Sequence, residues 1–284
     1  MELLPDKSSL RDWIASHRHR PRVLVPTMGA LHRGHTSLFD RAREEASRLG
    51  GEVVATIFVN PTQFGPNEDF TAYPRPLEAD LAKCREHGVD AVFAPGVGDM
   101  YADDRSITIA ENRLSTTLCG ASRPGHFDGV CTVVAKLFLL TQPGAAIFGE
   151  KDFQQLAVIR RLVRDLDFPV DIIGAPTVRE EDGLALSSRN VYLTPGQRAQ
   201  AQVLQRSLAR TARGIAEGRL ETPGAAREAF LGEFAAATLA RLDYFEIVDA
   251  WTLQRLDEFG DSEPRLLAAA FFGKTRLIDN VGLS

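Results

Sequence analysis

Cysteine is scarce in this chain: three residues among 284, at Cys84, Cys119 and Cys131. The count is odd and no CxxC or Cys/His spacing joins them, so neither a disulfide framework nor a zinc site is expected. Small buried side chains are the plain reading of all three, and a reducing, cytoplasmic compartment is the plain setting. An excess of positive charge is also missing. Lys plus Arg number 33 against 38 Asp plus Glu, a formal net charge of −5, so nucleic acid is not an expected partner. Long apolar runs are absent. The longest, around Val130–Leu140, is interrupted by Lys136 and is too short to span a bilayer, so no membrane role is expected. Residues 1–10 carry Glu2 and Asp6 early and lack the apolar stretch of a secretory signal. The remaining composition, 44% hydrophobic and 25% charged, is that of a globular protein and excludes disorder or a collagen-like fibre.

Short β-rich runs alternate with segments of helical period through the first half. Arg22–Thr27, Val53–Asn60, Val89–Ala94, Ala145–Phe148 and Pro169–Gly174 read as strands, with Ser106–Ala110 a weaker one. Between them, Leu38, Phe39, Ala42, Ala46 and Leu49 recur at helical spacing from His35 onward, as do Leu77, Leu81 and Cys84. Val130, Val133, Val134, Leu137 and Phe138 mark an apolar helix, and Phe153–Leu166 another. Strands alternating with helices predict parallel pairing through right-handed crossovers: an α/β, Rossmann-like, doubly wound sheet. After Gly174 the texture changes. Thr194-Pro195 and Thr222-Pro223 each pair an N-cap with a proline at the first helical position, and predict helices to about Glu217 and Ala240. Tyr244–Asp249, Leu266–Phe272 and Thr275–Asp279 follow as strands. The expected organisation is a parallel-sheet domain over residues 1–176 and a smaller α+β domain over residues 177–284.

In open parallel sheets ligands sit beyond the carboxyl ends of the strands, and several chemically rich strings fall there. The first is PTMGALHRGH, Pro26 to His35. Gly29 and Gly34 allow close backbone approach, the following helix offers free N–H groups, and His32 and His35 can both donate to phosphoryl oxygens. Surface histidines beside a glycine-rich turn would share that spacing; the position after a buried strand favours the phosphate role. The string is neither GxxxxGK[ST] nor GxGxxG. In FVNPTQF, Asn60 and Gln63 bring amide donors and acceptors to a strand end, though Asn-Pro is also a common turn start. Tyr73 and Asp80 follow; Asp80 is either a Mg²⁺ ligand or part of a solvated helix face with Glu78. RPGHFDGV contributes Arg123 and His126 at a turn, His126 being structural or catalytic. In GEKDFQQL, Lys151 beside Gly149 suits a phosphate, while Asp152 is either a helix cap or a ribose acceptor. Finally, Ser187, Ser188 and Arg189 pair two hydroxyls with a guanidinium fork able to clamp a triphosphate.

The spacing HxGH at 32–35 resembles the signature of the HxGH nucleotidyltransferases, which attack the α-phosphate of ATP. With FVNPTQF, RPGHFDGV, GEKDFQQL and LSSRN in the same order, the chain resembles the pantothenate synthetase family in particular, over about Val23 to Pro195 and more loosely beyond. Leu186 stands where that family usually has Met, a swap of similar volume. The resemblance implies ATP-dependent joining of (R)-pantoate and β-alanine through a pantoyl adenylate, with Mg²⁺ accompanying ATP and a homodimeric assembly. By the same resemblance, the ATP site comprises Met28, Gly29, His32, His35, Gly149, Glu150, Lys151, Asp152, Val178, Leu186, Ser187, Ser188 and Arg189. Gln63, Gln155, Asn60, Tyr73 and Arg123 bind the other substrates, and His35, His32, Lys151 and Arg189 carry the catalysis. The second domain becomes a lid. Two other functions share parts of this pattern: a different HxGH nucleotidyltransferase, whose product keeps the nucleotide, and a nucleotide-binding module without chemistry.

Overall fold

Strand β2 (Arg22–Thr27) is buried along almost its whole length, as a strand covered on both faces must be. It lies at the centre of a six-stranded sheet in the computed structural model, which describes residues 1–66, 68 and 70–283. By contacts the chain divides into two units, Met1–Glu150 with Val158–Pro176, and Lys151–Ala157 with Thr177–Ser284.

In the first unit β1 (Glu2–Leu4) and α1 (Lys7–Ser16) precede β2, and α2 (Arg33–Leu49), β3 (Glu52–Ile57), α3 (Leu77–Glu86), β4 (Ala91–Phe93) and the short α4 (Val97–Met100) follow it. Then come α5 (Leu118–Ser122), α6 (His126–Thr141), β5 (Ala145–Gly149), α7 (Phe153–Asp165) and β6 (Asp171–Ala175), the sheet order being β1-β4-β3-β2-β5-β6. Every pairing is parallel. Phe39, Ala42 and Ala46 of α2 and Leu81 and Cys84 of α3 pack on Val23, Val25, Val53 and Ala55. Full burial of a side chain the size of Phe39 contributes about 1.5–3 kcal/mol. Alternate residues Leu24, Val54 and Ala146 are buried as well, so the opposite face is also covered.

The second unit holds α8 (Pro195–Ala201), α9 (Val203–Ala216), α10 (Pro223–Phe234) and an antiparallel sheet of β7 (Ala240–Asp249), β8 (Pro264–Phe272) and β9 (Thr275–Gly282) in that order. Phe230 of α10 stacks on Phe245 of β7 with ring centroids 3.8 Å apart, inside a core that includes Leu204, Leu208, Leu266 and Phe272.

Three expectations change. Ser106–Ala110 forms no strand: Ile107 is 82% exposed, and the Ile109 N–H goes to Thr132 Oγ1 at 2.9 Å rather than to a ladder. β-Branched composition favours a strand only where a neighbour supplies the backbone partners. The helix expected over 194–217 is two, α8 and α9, meeting at Gln202, and the one after Thr222 stops at Phe234. β1 and α1 carry no strong periodicity; β1 exists because β4 gives it a partner, and α1 starts at a capping box between Asp6 and Ser9. No helix among the described residues is long and apolar enough to cross a membrane.

All three cysteines are buried. Burial pushes the thiols of Cys84 and Cys131 up to about 12, far from the thiolate form that reacts. A thiol-specific reagent at neutral pH is therefore expected to label none of the three until denaturant is added. Titration of the folded protein checks this, and fast labelling of even one thiol would contradict it.

Candidate active site

β2 and β5 are sheet neighbours, yet the chain winds away from them in opposite directions, through β3 and β4 on one side and β6 on the other. The loops leaving both strands thus start at the topological switch point, the place where open parallel sheets take ligands. After β2 the backbone turns through two left-handed residues, Gly29 (φ 81°) and Ala30 (φ 51°). A Cβ on Gly29 would lie 2.9 Å from Asp80 Oδ2. Asp80, 0% exposed on α3, explains the turn: its Oδ2 accepts the Ala30 N–H and its Oδ1 the Leu31 N–H, both at 2.8 Å. One turn further along α3, the Lys83 ammonium donates to the Leu31 carbonyl. A buried carboxylate has to be compensated by donors, and here the donors are the loop itself. Of the two readings open from sequence, the solvated helix face does not hold, since Asp80 has no exposed surface; its carboxylate anchors the loop.

That loop delivers two histidines to the start of α2. His32 is the N-cap and the pair forms a reciprocal capping box. The Gly34 N–H donates to His32 Nδ1 at 3.1 Å and the His32 N–H to His35 Nδ1 at 3.3 Å. Backbone N–H groups only donate, so both Nδ1 atoms are acceptors and both rings carry their proton on Nε2. The ring centroids are 4.1 Å apart. Two Nε2–H donors therefore stand side by side at a helix N-terminus, an arrangement suited to phosphoryl oxygens.

After β3, Asn60 opens a 3-10 turn, Pro61–Gln63. Asn60 is 1% exposed and its amide is fully engaged. Oδ1 accepts from Tyr101 Oη at 2.8 Å and Thr62 Oγ1 at 2.9 Å, while Nδ2 donates to Gln63 Oε1 and the Gly129 carbonyl, each at 3.1 Å. Burial raises the Tyr101 phenol, which keeps it a donor. Gly129 is required for this close approach, since a Cβ there would sit 2.3 Å from the Thr62 carbonyl oxygen. Gln63 Nε2 in turn reaches Met28 Sδ at 3.1 Å, joining this turn to the histidine loop. Asn60 thus orients the Gln63 amide.

Arg123 is similarly occupied. It forks onto Glu68 at 2.7 and 2.6 Å and donates to His126 Nε2 at 2.9 Å. His126 Nδ1–H holds the Gln63 carbonyl at 2.8 Å, a contact that supports the structural reading. Tyr73 is buried, its ring edge-on to Phe64. Burial works against the Glu68 charge, but the Arg123 fork and its charge outweigh that, and the carboxyl lies below its ordinary 4.5. A carboxyl lowered in the folded state stabilises above its unfolded value and stops doing so as pH falls through the folded one. Wild type should therefore exceed Glu68→Gln in stability at about pH 7, and lose that advantage as the pH falls below the ordinary carboxyl value and through the lowered folded one. Denaturant titrations at neutral pH and through the acid range read this; a difference unaffected by acid would break the assignment.

Gly149 ends β5, and the residues that follow make a 3-10 turn, Glu150–Asp152, opening α7. Lys151 and Asp152 approach to 3.7 Å, and Gln155 is half-buried one turn on. In the second unit the Leu186 N–H bonds the Val178 carbonyl at 3.0 Å, closing a hairpin. Ser187 then caps a 3-10 turn over Ser188–Tyr192 by accepting the Arg189 N–H at 3.3 Å. Asn190 Nδ2 ties that turn to Glu180 at 2.8 Å, and Arg198 holds both Glu180 and Asp182 at 2.6 Å.

The family model described as Pantoate-beta-alanine ligase matches residues 2–282. The pantothenate synthetase of Akkermansia muciniphila is 51% identical, with 100% of both chains covered. The chain belongs to the pantoate–β-alanine ligase family. A second relative of that name, from Moorella thermoacetica, is 50% identical over 100% of this chain and 99% of its own. Among solved structures, the pantothenate synthetase of Thermus thermophilus superposes with a TM-score of 0.92 at 48% identity, covering 100% of this chain and 99% of that one. The pantoate–β-alanine ligase of Francisella tularensis, complexed with β,γ-ATP and β-alanine, has a TM-score of 0.81 at 34% identity over 100% and 98% of the two chains. The six-stranded parallel sheet with a small antiparallel sheet at the carboxyl end is thus the fold of pantoate–β-alanine ligases.

Several buried or paired residues around these segments escape a reading of motifs in this ligase: Tyr101 and Glu68 around Gln63, and Arg179, Asp279 and Asn280 in the second unit. Each bonds a partner distant in the chain. The one legible hint is compositional, since Asp279-Asn280 puts two polar residues inside an otherwise strand-like run.

Proposed function

We propose that this ligase condenses (R)-pantoate with β-alanine at the expense of ATP, giving pantothenate, AMP and diphosphate. Membership in the family over nearly the full length carries the reaction class, and the doubled histidine cap carries the phosphate chemistry. A pantoate carboxylate oxygen bonds to the α-phosphorus as the bond to the β-phosphate bridging oxygen breaks, and diphosphate leaves with that electron pair. The β-alanine amine then adds to the acyl carbon of the pantoyl adenylate; AMP departs, and the amine's surplus proton passes to solvent. No enzyme nucleophile is needed, so the protein contributes alignment and charge stabilisation.

In this reading the Nε2–H groups of His35 and His32 donate to the phosphates, with His35 nearest the developing charge. Lys151 meets the triphosphate as a compact charge and Arg189 as a fork, beside the hydroxyls of Ser187 and Ser188. Met28, Gly29, Gly149, Glu150, Val178 and Leu186 contribute backbone and packing around the nucleotide, and Asp152 accepts from the ribose. Gln63, its amide orientation set by Asn60, and Gln155 bind pantoate. Tyr73 supports the wall, and Arg123 acts by holding the Gln63 backbone. Residues 177–284 serve as the lid domain. Mg²⁺ belongs to the nucleotide rather than to a protein cage: no three His, Cys, Asp or Glu converge among the described residues, and Mg²⁺ is commonly held through substrate phosphates and water. Its charge would ease departure of diphosphate; no step above passes through it. A cytoplasmic homodimer completes the reading.

ATP–pyrophosphate exchange tests it. Label should move from pyrophosphate into ATP only when (R)-pantoate is present and before any β-alanine is added; β-alanine should then divert the adenylate to AMP and pantothenate. A folded, ATP-binding protein that shows no exchange would point to another acceptor or to a binding module.

A further inference from the structure

Strand β9 carries two adjacent buried polar side chains, Asp279 at 4% and Asn280 at 3% exposure. Neighbours on a strand face opposite ways, so one strand reaches two different segments of the second unit. Asp279 takes Arg179 in a two-pronged pair, Nη1 to Oδ2 at 2.6 Å and Nη2 to Oδ1 at 2.9 Å. Arg179 also donates to the Gly183 carbonyl at 3.1 Å and pairs with Ala185 across the hairpin. The ion pair therefore fastens to β9 the hairpin from which Ser187–Arg189 emerge.

Asn280 serves the other segment. Its Nδ2 donates to the Lys151 carbonyl at 3.0 Å, while its Oδ1 accepts from Arg265 Nε at 2.8 Å and Nη2 at 2.5 Å. A guanidinium only donates, so Arg265 decides which end of the amide faces it and turns the NH₂ toward Lys151. Arg265 also lies 4.2 Å from the centroid of the Phe153 ring, two residues beyond Lys151. A lysine stem is long and flexible, so the place its ammonium occupies depends on how firmly its own peptide is held.

We propose that Asn280 is a positioning residue for Lys151, and that β9 joins Lys151 and the Ser187–Arg189 turn into one anion-binding frame. The proposal rests on the reading of those two segments as triphosphate ligands. The frame presents a lysine and an arginine at a spacing set by two neighbouring residues of a single strand, which suits a polyphosphate better than a lone phosphate.

Asn280→Asp is the sharpest test, because one carboxylate oxygen keeps both contacts from Arg265 while the other replaces the N–H given to Lys151 with an acceptor that repels its carbonyl. In pantoate-dependent ATP–pyrophosphate exchange the variant should raise the ATP KM about tenfold, ~1.4 kcal/mol, with the pantoate KM unchanged within about twofold. In a Lys151→Ala background the same change should add less than about twofold, since both substitutions act through one ammonium. An unchanged ATP KM, or an effect of equal size in both backgrounds, overturns the proposal. Asn280→Ala provides the same comparison if the aspartate variant does not fold; failure of both to fold would make Asn280 a stability residue and end it. Lys151→Ala with normal ATP use would instead remove the underlying phosphate role, a result distinguishable from the others.

Discussion

Replacing His35 with alanine is expected to lower turnover in pantoate-dependent ATP–pyrophosphate exchange by ~100-fold or more, the usual scale for removing one donor aimed at developing charge. The geometry gives the reason. His35 Nδ1 is taken by the His32 N–H at 3.3 Å, so the proton sits on Nε2 and the ring has a fixed donor to offer. Alanine removes that donor and also half of the cap, which by itself costs about 0.5–2 kcal/mol of helix stability. His35→Asn separates the two effects: its side-chain oxygen can still accept the His32 N–H, but it has no group that reaches as far as Nε2. Both variants should lose exchange, whereas the asparagine variant should unfold close to wild type. Wild-type turnover in His35→Asn would remove His35 from the chemistry and leave it a helix cap.

Asp80→Asn should have the second-largest effect, without touching any substrate. The carboxylate accepts two adjacent backbone N–H groups at 2.8 Å and holds Ala30 at φ 51°. An asparagine has one oxygen to offer and must turn its NH₂ toward the other N–H. A buried donor left unpaired costs ~1–3 kcal/mol, and if that falls on the working form of the loop the rate drops by roughly 5- to 150-fold. The Mg²⁺ concentration giving half-maximal activity should not move, because Asp80 is buried against backbone. A large rise in the Mg²⁺ requirement would return Asp80 to the role of metal ligand, and an unchanged rate would show that the loop holds itself.

Asp80 also marks the limit of what motifs convey. Its residue type and its closeness to the substrate strings are legible, and they left open a cation ligand or a solvated helix face. What it does depends on Ala30 and Leu31, 50 and 49 positions away, and on α3 packing where it does. Asn60 follows the same logic: the amide is legible, but that Tyr101, 41 residues distant, and Gly129, 69 residues distant, occupy it is not. Ser106–Ala110 shows the converse, a β-like composition with no ladder.

The strings that bear the chemistry, from Pro26 to His35 through Leu186 to Asn190, are contiguous, and each lies at the end of an element whose own periodicity announces it. Residue type and local spacing therefore suffice to name the family and the parallel sheet, and to single out the groups proposed to meet the substrates. How those groups are aimed is another matter. It comes from bonds spanning 100 residues between Arg179 and Asp279 and 129 between Lys151 and Asn280. A hydrogen bond is directional and short, so it exists only once strand register and helix packing have brought both partners to within about 3 Å, and no local pattern encodes that meeting.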